Sequence, residues 1–337
     1  MKPTLTINGA NHELDCAPSE TLLSAVRRLG YYGVKFGDEQ GLSGADTVLL
    51  DGKPVNAGSM LAAQAEGHNI VTIEALGEHP EQGWRKTEGL HPLQQAFVES
   101  GAIQCGYCTP AQILAAKSLL EKNPNPSEQE VRDAIAGVLC RCTGYLKPVE
   151  AVLKAAAVMR GEAEFGEGIL VSFNPPSGAP PSGEPLPTLS NAPTAQTRTL
   201  PKVFITPQTE TYQTVGKPEK KVDAVKLVQG KPAFTADMDI RGMLYARVLR
   251  SPHAHARIKK IDASKAKELE GVAAVLTWQD IPRVVYSTAG QSDPIPGPLD
   301  SFSLDNKVRF VGDRVAMVAA ESPEIAEKAL TLIDVEY

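Results

Sequence analysis

Hydrophobic and polar positions alternate with a period of two at the start of the chain and then take a helical period. The stretch TLTINGANHEL alternates and turns at Asn8-Gly9, which is typical of a β-hairpin. SETLLSAVRRLG predicts a helix with Ser19 as its N-cap. TVLLDGKPV predicts a second hairpin centred on Asp51-Gly52, and NIVTIEAL a further strand. Residues 1–78 therefore predict a small sheet crossed by one helix.

Residues 79–161 predict a compact bundle of four short helices. HPLQQAFVES carries proline in its first turn, and TPAQILAAKSLLEKN begins with Thr109 as its N-cap. SEQEVRDAIAGVL opens with a capping box of Ser127 and Glu130, and PVEAVLKAAAVMRG is the fourth helix. The apolar positions of the third helix predict a buried stripe, made of Val131, Ala134, Ile135, Val138 and Leu139.

The second half of the chain begins with a change of composition. Residues 162–214 are rich in Pro, Ser and Gly and predict an extended linker. Residues 215–337 return to mixed α/β patterning, with strands in MLYARVLRS, VAAVLTWQ and DRVAMVAAE and helices in SKAKELEG and SPEIAEKALTLI. The last residues, IDVEY, resemble a strand, so we expect the sequence to end inside a larger architecture.

Charge and hydropathy narrow the class of partner. The chain of 337 residues has a net charge of −6, which argues against nucleic acid and against an anionic membrane surface. No apolar run approaches the length of a membrane span, and the N-terminus lacks an apolar signal core. We expect a cytoplasmic protein, in which clustered cysteines bind metal or do redox chemistry more often than they form disulfides.

Four of the five cysteines form two closely spaced pairs. Cys105 and Cys108 lie in QCGYCTP, and Cys140 and Cys142 lie in LCRCTGY, 31 residues further on. The two predicted helices between the pairs return the chain to its starting end. Four thiolates on two neighbouring loops suit a tetrahedral metal ion or an iron–sulfur cluster. A thiol–disulfide redox pair would leave Cys140 and Cys142 without a role, whereas spacing alone leaves zinc and a [2Fe–2S] cluster both open.

The stretch GAIQCGYCTPAQ…LCRCTGYLKP resembles the helical [2Fe–2S] domain of the molybdenum hydroxylases, the family of xanthine dehydrogenases, aldehyde oxidoreductases and CO dehydrogenases. Ala111, where the family often has glycine, is a minor departure. The resemblance implies that Gln104 contacts a molybdopterin cofactor and that the loop around Cys142 approaches it. It also implies four ligands for the cluster nearest that cofactor, namely Cys105, Cys108, Cys140 and Cys142.

The resemblance extends to both ends of the chain and implies an α+β fold. Residues 1–78 look like the family's plant-type ferredoxin domain, a β-grasp fold, and residues 79–161 look like its four-helix [2Fe–2S] domain. Residues 215–337, with RSPHAHARI and RFVGDRVAMVAAES, look like the α/β hammerhead domain that begins the molybdenum subunit. The linker at 162–214 resembles nothing in the family.

The stretch KFGDEQGLSGADTVLLDG keeps the glycines of the ferredoxin loop but none of its cysteines. Laid on the family pattern, the four ligand positions are Asp38, Ser43, Asp46 and Gly58. Iron–sulfur clusters need soft thiolate ligands, so we predict that this loop holds no cluster. A hard cation on Asp38, Glu39 and Asp46 is one alternative, and a solvated acidic loop kept for folding and docking is the other.

The resemblance implies the electron-transfer portion of a molybdenum hydroxylase of the xanthine dehydrogenase or aldehyde oxidase type, with one [2Fe–2S] cluster and no catalytic residue of its own. Electrons would pass from a molybdopterin centre, held with a downstream domain or partner subunit, to a separate flavin or iron–sulfur acceptor protein. The substrate would be a purine, another heterocycle or an aldehyde. With its fused domains and degenerate ferredoxin loop, the chain resembles the subgroup of molybdenum hydroxylases associated with selenium-dependent purine oxidation. The alternative is a zinc-binding or cluster-less scaffold that assembles molybdenum-enzyme subunits.

Four further residues have a structural interpretation beside a functional one. His253 and His255 lie on one side of a predicted strand, where packing is expected more than a metal pair. Cys16 is expected to be a small buried residue. Arg141, between two of the cysteines, would either tune a cluster through its charge or pair with a carboxylate.

Overall fold

A computed structural model describes residues 2–38, 40–79, 84–85, 89–166, 219–238, 240–288 and 299–337 of the chain. Most of the predicted linker therefore lies outside the described residues. The chain divides into two compact units, Met1–Asp237 and Met238–Tyr337. Within the described ranges, no helix is both long enough and apolar enough to cross a membrane.

The first unit contains a β-grasp sheet, a group of four helices and a short segment that follows the predicted linker. Its strands are β1 (Thr4–Ile7), β2 (Ala10–Glu13), β3 (Thr47–Leu50), β4 (Lys53–Asn56), β5 (Asn69–Val71), β6 (Glu78–His79) and β7 (Trp84–Arg85). Its helices are α1 (Leu22–Arg28), α2 (Pro92–Glu99), α3 (Thr109–Lys122), α4 (Glu128–Ile135), α5 (Leu146–Met159) and α6 (Ala224–Val228).

The sheet of the N-terminal domain has the strand order β2-β1-β5-β3-β4. β1 runs parallel to β5, and the other neighbours are antiparallel. Alternate residues of β1, Leu5 and Ile7, are fully buried against the apolar face of α1, which confirms the predicted sheet crossed by one helix. The predicted N-cap was wrong: Thr21 caps α1 by accepting from the Ser24 N–H, and Ser19 lies before it in a turn.

The four predicted helices of the second domain are α2 to α5. The capping box of Ser127 and Glu130 at α4 is confirmed. α3 takes Cys108 as its N-cap, so the prediction of Thr109 was one residue late. The predicted buried stripe was wrong at Leu139, which is 59% exposed, because α4 ends at Ile135 and the chain then turns toward the cysteine loop.

Residues 219–237, here called the return segment, pack on both of these domains. α6 contributes Ala224, Leu227 and Val228 to the core that also contains the α2, α3 and α5 side chains. A single turn of 3₁₀ helix, Thr235–Asp237, ends the segment. The first unit therefore includes residues that follow the predicted linker in sequence.

The second unit contains the remaining elements and its own two clusters of buried side chains. The elements are β8 (Tyr245–Arg250), β9 (Ala256–Arg257), β10 (Lys260–Asp262), α7 (Ser264–Lys267), β11 (Val272–Leu276), β12 (Lys307–Val308), β13 (Arg314–Ala320), α8 (Pro323–Thr331) and β14 (Asp334–Glu336). A three-stranded antiparallel sheet has the order β11-β13-β8, and β10 pairs with β14 and β9 with β12.

The strand predicted around the two histidines was wrong. His253 and His255 lie in a bend between β8 and β9, and both are exposed. The His253 ring contacts Tyr337 edge to face, with ring centroids 4.6 Å apart. The proline at 252 withholds a backbone N–H from any sheet, which favours a bend here.

Candidate metal centre

The helical domain brings both cysteine pairs to one place. Cys105 and Cys108 lie in the turn between α2 and α3, and Cys140 and Cys142 lie between α4 and α5. Cys108 is buried, Cys140 is partly buried, and Cys105 and Cys142 are exposed. The four thiols therefore form a group with one buried side and one side open to solvent.

The thiols form two cross-loop pairs. Cys105 lies close enough to Cys142, and Cys108 close enough to Cys140, for the thiols of each pair to influence each other's ionisation. Burial, together with the neighbouring thiols, raises the pKa of both Cys105 and Cys108. All four are free cysteines. Metal binding would displace their protons, since the thiolate is the ligand.

Cys140 is surrounded by hydrogen-bonding groups from its own loop. The Thr143 hydroxyl lies 3.1 Å from Cys140 Sγ, and the Tyr145 hydroxyl accepts from the Cys140 N–H at 2.7 Å. Tyr145 in turn donates to the Val138 carbonyl at 3.1 Å. Burial opposes ionisation of Cys140, but hydrogen bonds from Thr143 and from the Cys142 backbone outweigh it and lower its pKa.

This donor set fits an iron–sulfur cluster. In a [2Fe–2S] cluster held by four cysteines, each iron takes two thiolates, and the two cross-loop pairs supply two sets of two. Four thiolates also suit a single zinc ion, so the arrangement of the thiols fits either metal.

The loop at residues 38–46, here called the acidic loop, is closed by its own hydrogen bonds. The Asp38 carboxylate accepts from the backbone N–H groups of Gln40, Leu42 and Ser43 at 2.7 to 3.0 Å. The Ser43 hydroxyl also bonds to it, and together these donors hold the pKa of Asp38 well below its usual range. Glu39, the third residue of the hypothetical cation site, lies outside the described residues.

The other two positions that were laid on the ferredoxin pattern, Asp46 and Gly58, also bond to each other. Asp46 is fully buried, and its Oδ2 accepts from the Gly58 N–H at 2.6 Å. Its Oδ1 has no hydrogen-bond partner among the described residues, and burial raises the pKa of Asp46. Asp38 thus bonds to Ser43 and Asp46 to Gly58, and their oxygen atoms do not suit an iron–sulfur cluster.

The acidic loop lies directly against the cysteine loop. The Ser43 carbonyl accepts from the Leu139 N–H at 2.8 Å, one residue before Cys140. Gly44 has φ +66°, and an added Cβ there would collide with the Gly137 carbonyl. The glycine is therefore required for the close approach of the two loops.

The remaining predicted site residues have fewer contacts. Gln104 and Arg141 are exposed, and Arg141 makes no ion pair with any carboxylate that the structure describes. Cys16 is buried as predicted, at the side of the β-grasp core. Sequence reasoning missed Thr143 and Tyr145, although both stand in the CRCTGY motif and a hydroxyl three residues after a ligand was a usable signal. It also missed Leu227, which no local signal connects with the cysteines.

Comparison with known proteins places the chain in a family. Residues 72–153 match the [2Fe-2S] binding domain, and residues 229–337 match the aldehyde oxidase and xanthine dehydrogenase a/b hammerhead domain. The nicotinate dehydrogenase small FeS subunit of Eubacterium barkeri is 44% identical over 144 residues, which cover 42% of this chain and 87% of that subunit. The chain belongs to the molybdenum hydroxylase family.

Two longer members of the molybdenum hydroxylase family match nearly the whole chain. The probable hypoxanthine oxidase XdhD of Escherichia coli (strain K12) is 35% identical over 333 residues, 98% of this chain and 30% of that protein. The crystal structure of the aldehyde oxidoreductase from Desulfovibrio desulfuricans ATCC 27774 superposes with a TM-score of 0.76 at 32% identity, covering 99% of this chain and 33% of that one. The chain thus spans about a third of these relatives.

The predicted α+β fold class is confirmed by these similarities, with its β-grasp sheet, helical [2Fe–2S] domain and hammerhead domain. Residues 72–153, which match the [2Fe-2S] binding domain, contain all four cysteines of the group.

Proposed function

We propose that this chain is the electron-transfer portion of a molybdenum hydroxylase and holds one [2Fe–2S] cluster on Cys105, Cys108, Cys140 and Cys142. The observation that carries the proposal is the meeting of these thiols in two cross-loop pairs. The name of the E. barkeri relative, a small FeS subunit, supports it. When bound, such a cluster supplies one-electron transfer.

The residues of the chain would hold, insulate and tune that site. Cys108 is buried and Cys140 is partly buried, whereas Cys105 and Cys142 are exposed at the surface. Hydrogen bonds at Cys140 would stabilise negative charge on its sulfur. We propose that the exposed side, with Gln104 and Cys142, faces a molybdopterin cofactor held by a downstream domain or partner subunit.

The acidic loop holds no second cluster in this proposal. Asp38, Ser43 and Asp46 offer only oxygen atoms and Gly58 has no side chain, so the loop has no soft ligand. Electrons would therefore leave to a separate flavin or iron–sulfur acceptor protein. Similarity to the hypoxanthine oxidase and the aldehyde oxidoreductase supports hydroxylation of a purine, another heterocycle or an aldehyde by the whole enzyme. We propose the subgroup associated with selenium-dependent purine oxidation on the acidic loop alone, because that subgroup resembles this chain in its degenerate ferredoxin loop.

The test is metal and acid-labile sulfide content, with the visible spectrum, of protein purified without oxygen. About two irons and two sulfides per chain are expected, with the absorption of an oxidised [2Fe–2S] centre. Cys108→Ser should lose both, whereas Cys16→Ala, the matched change at a cysteine outside the group, should keep them.

Two other results would contradict the proposal. Four irons per chain would mean that the acidic loop does hold a cluster. Zinc without iron would favour the second function considered from the sequence, a scaffold that assembles other subunits and carries no electrons.

A further inference from the structure

The return segment covers the two residues that separate Cys105 from Cys108. Gly106 has φ +84°, and an added Cβ there would lie 2.7 Å from Leu227 Cδ1. Tyr107 contacts Phe234 edge to face, with ring centroids 4.9 Å apart. Both residues of the turn between the thiols are therefore held by side chains that come more than one hundred positions later in the sequence.

A buried charge cluster anchors the end of the segment to the β-grasp domain. Asp237 Oδ2 lies 2.7 Å from Lys35 Nζ, and these side chains are 0% and 1% exposed. Arg27 pairs with the other oxygen, Oδ1, at 3.2 Å. Removing the carboxylate would leave two cations without their shared partner in a low-dielectric site, which is strongly unfavourable.

Polar and steric contacts fix the rest of the segment. The buried Gln94 side chain of α2 donates to the Val228 carbonyl at 2.9 Å. An added Cβ at Gly230 would lie 2.7 Å from the Cα of Gly33, so the two backbones approach as only glycine allows. The segment is thus bound to both domains by hydrogen bonds, ion pairs and close packing.

We infer that the return segment is a clamp that closes the cysteine loop, so that the metal centre is completed by residues beyond the predicted linker. The surface it occupies, on α1, α2 and the Cys105–Cys108 turn, is an interaction surface whose partner is the chain's own continuation. The part of this inference that concerns iron rests on the proposed function. The part that concerns binding of the segment stands on the contacts alone.

The first test cuts the full-length chain in the predicted linker at a protease site inserted after residue 190. The two fragments should co-elute in gel filtration without denaturant. Leu227→Ser, at a side chain 4% exposed, should promote their separation. Val225→Ser, on the same helix but 46% exposed, is the matched control and should leave the complex intact. Equal behaviour of these two variants, or separation of the wild-type fragments, would overturn the inference.

The second test measures the rate of iron loss from the uncut protein to a chelator. Leu227→Ser should accelerate the loss about tenfold or more, which corresponds to about 1.4 kcal/mol in the opening of the site. Leu227→Ala is a milder change, and its rate of iron loss should lie between those of the wild type and Leu227→Ser. If the serine variant fails to fold, the alanine variant should still lose iron faster than the wild type. Iron-containing wild type with the same rate as both Leu227 variants would refute the clamp, whereas wild type without iron would refute the proposed function instead.

Discussion

Thr143 is the residue whose side chain most directly changes the chemistry of a cysteine in the metal centre. Its hydroxyl lies 3.1 Å from Cys140 Sγ, and its Oγ1 also accepts from the Tyr145 N–H at 3.2 Å. That second bond leaves the hydroxyl proton free to point at the sulfur. A hydrogen bond to a ligand sulfur stabilises the reduced state of an iron–sulfur cluster and so raises its potential.

We predict that Thr143→Val lowers the midpoint potential of the bound cluster by roughly 20–60 mV, since one hydrogen bond is worth about 0.5–1.5 kcal/mol and 59 mV is tenfold for one electron. A redox titration followed by electron paramagnetic resonance measures it. Thr143→Ser keeps the hydroxyl and should retain the wild-type potential. If the midpoint potential of Thr143→Ser were as low as that of Thr143→Val, the hydroxyl group would not be the cause of the shift.

Asp46 is a buried acid whose ionisation opposes folding. Burial raises its pKa above the ordinary value, and the Gly58 N–H only partly compensates for the lost water. The folded state therefore binds this proton more tightly than the unfolded state does. It follows that the acid reduces stability once the pH exceeds the unfolded pKa of about 3.9, and has no such effect below it.

We predict that Asp46→Asn makes the protein more stable at pH 7 and that the difference disappears below about pH 4, where the acid is protonated in both states. Urea unfolding at several pH values measures the difference. Because asparagine keeps an oxygen for the Gly58 N–H, Asp46→Ala is the control that loses this acceptor and should be less stable than Asp46→Asn. A less stable asparagine variant at pH 7 would indicate a cation on this carboxylate.

At the scale of elements, the helix termini show where local chemistry is sufficient. Ser127 and Glu130 cap α4 as predicted, because a capping box needs only residues within one turn. At α1, Thr21 forms the cap two residues after the predicted Ser19, because Thr21 also bridges to Leu61 on a distant part of the chain. The sequence thus predicts helix starts to within one or two residues. Where a tertiary contact is present, that contact determines which of the neighbouring residues forms the cap.

α2 begins with an uncommon cap, the imidazole of His91. Its Nδ1 accepts from the Leu93 N–H at 3.2 Å, so the ring must be neutral at that nitrogen. Burial, with a contribution from Lys117, lowers the pKa of His91 from 6.5 to about 4. The unfolded state therefore binds this proton first as the pH falls.

We predict that the free energy of unfolding falls as the pH drops from about 7 to 4. His91 should account for up to roughly 3 kcal/mol of this loss, since one pKa unit is worth about 1.4 kcal/mol. Denaturant unfolding across this range should show a flatter profile for His91→Asn, which keeps a capping acceptor. His91→Ala should be equally flat but about 1 kcal/mol less stable throughout. If the unfolding free energy of both variants changed with pH as steeply as that of the wild type, His91 would not be the cause of the pH dependence.

At the scale of the whole molecule, the buried side chains fall into sets that belong to one unit or the other. The largest core runs from Leu49 to Val228 and joins the sheet, the four helices and the return segment. The core around Val275 and Val318 is made of second-unit side chains. A ligand that binds only folded protein stabilises the unit whose core surrounds it.

We predict that iron removal lowers the unfolding temperature of the first unit and leaves that of the second unchanged. Scanning calorimetry of the protein before and after chelation measures both transitions. Cys108→Ser, which removes a proposed ligand, should melt like the chelated protein. Equal shifts in both transitions would mean that the two cores unfold together.

Most of the secondary structure and the candidate ligands were predictable from the sequence, because their signals are local. A C-x2-C pair, a C-x-C pair and the glycines that resemble a ferredoxin loop are visible within a few residues. The boundaries proposed at 78, 161 and 214 stay predictions. The compact unit itself ends at Asp237, because the chain after the linker folds back.

Two cysteine pairs, and oxygen or no side chain at the four positions laid on the ferredoxin pattern, follow directly from the residue types. How these groups combine depends on the folded chain. Folding brings the two cysteine loops together, places the Gly58 N–H on Asp46 and sets Asp237 against Lys35, 202 positions away. Such contacts depend on chain closure and burial, which no local pattern of residues encodes.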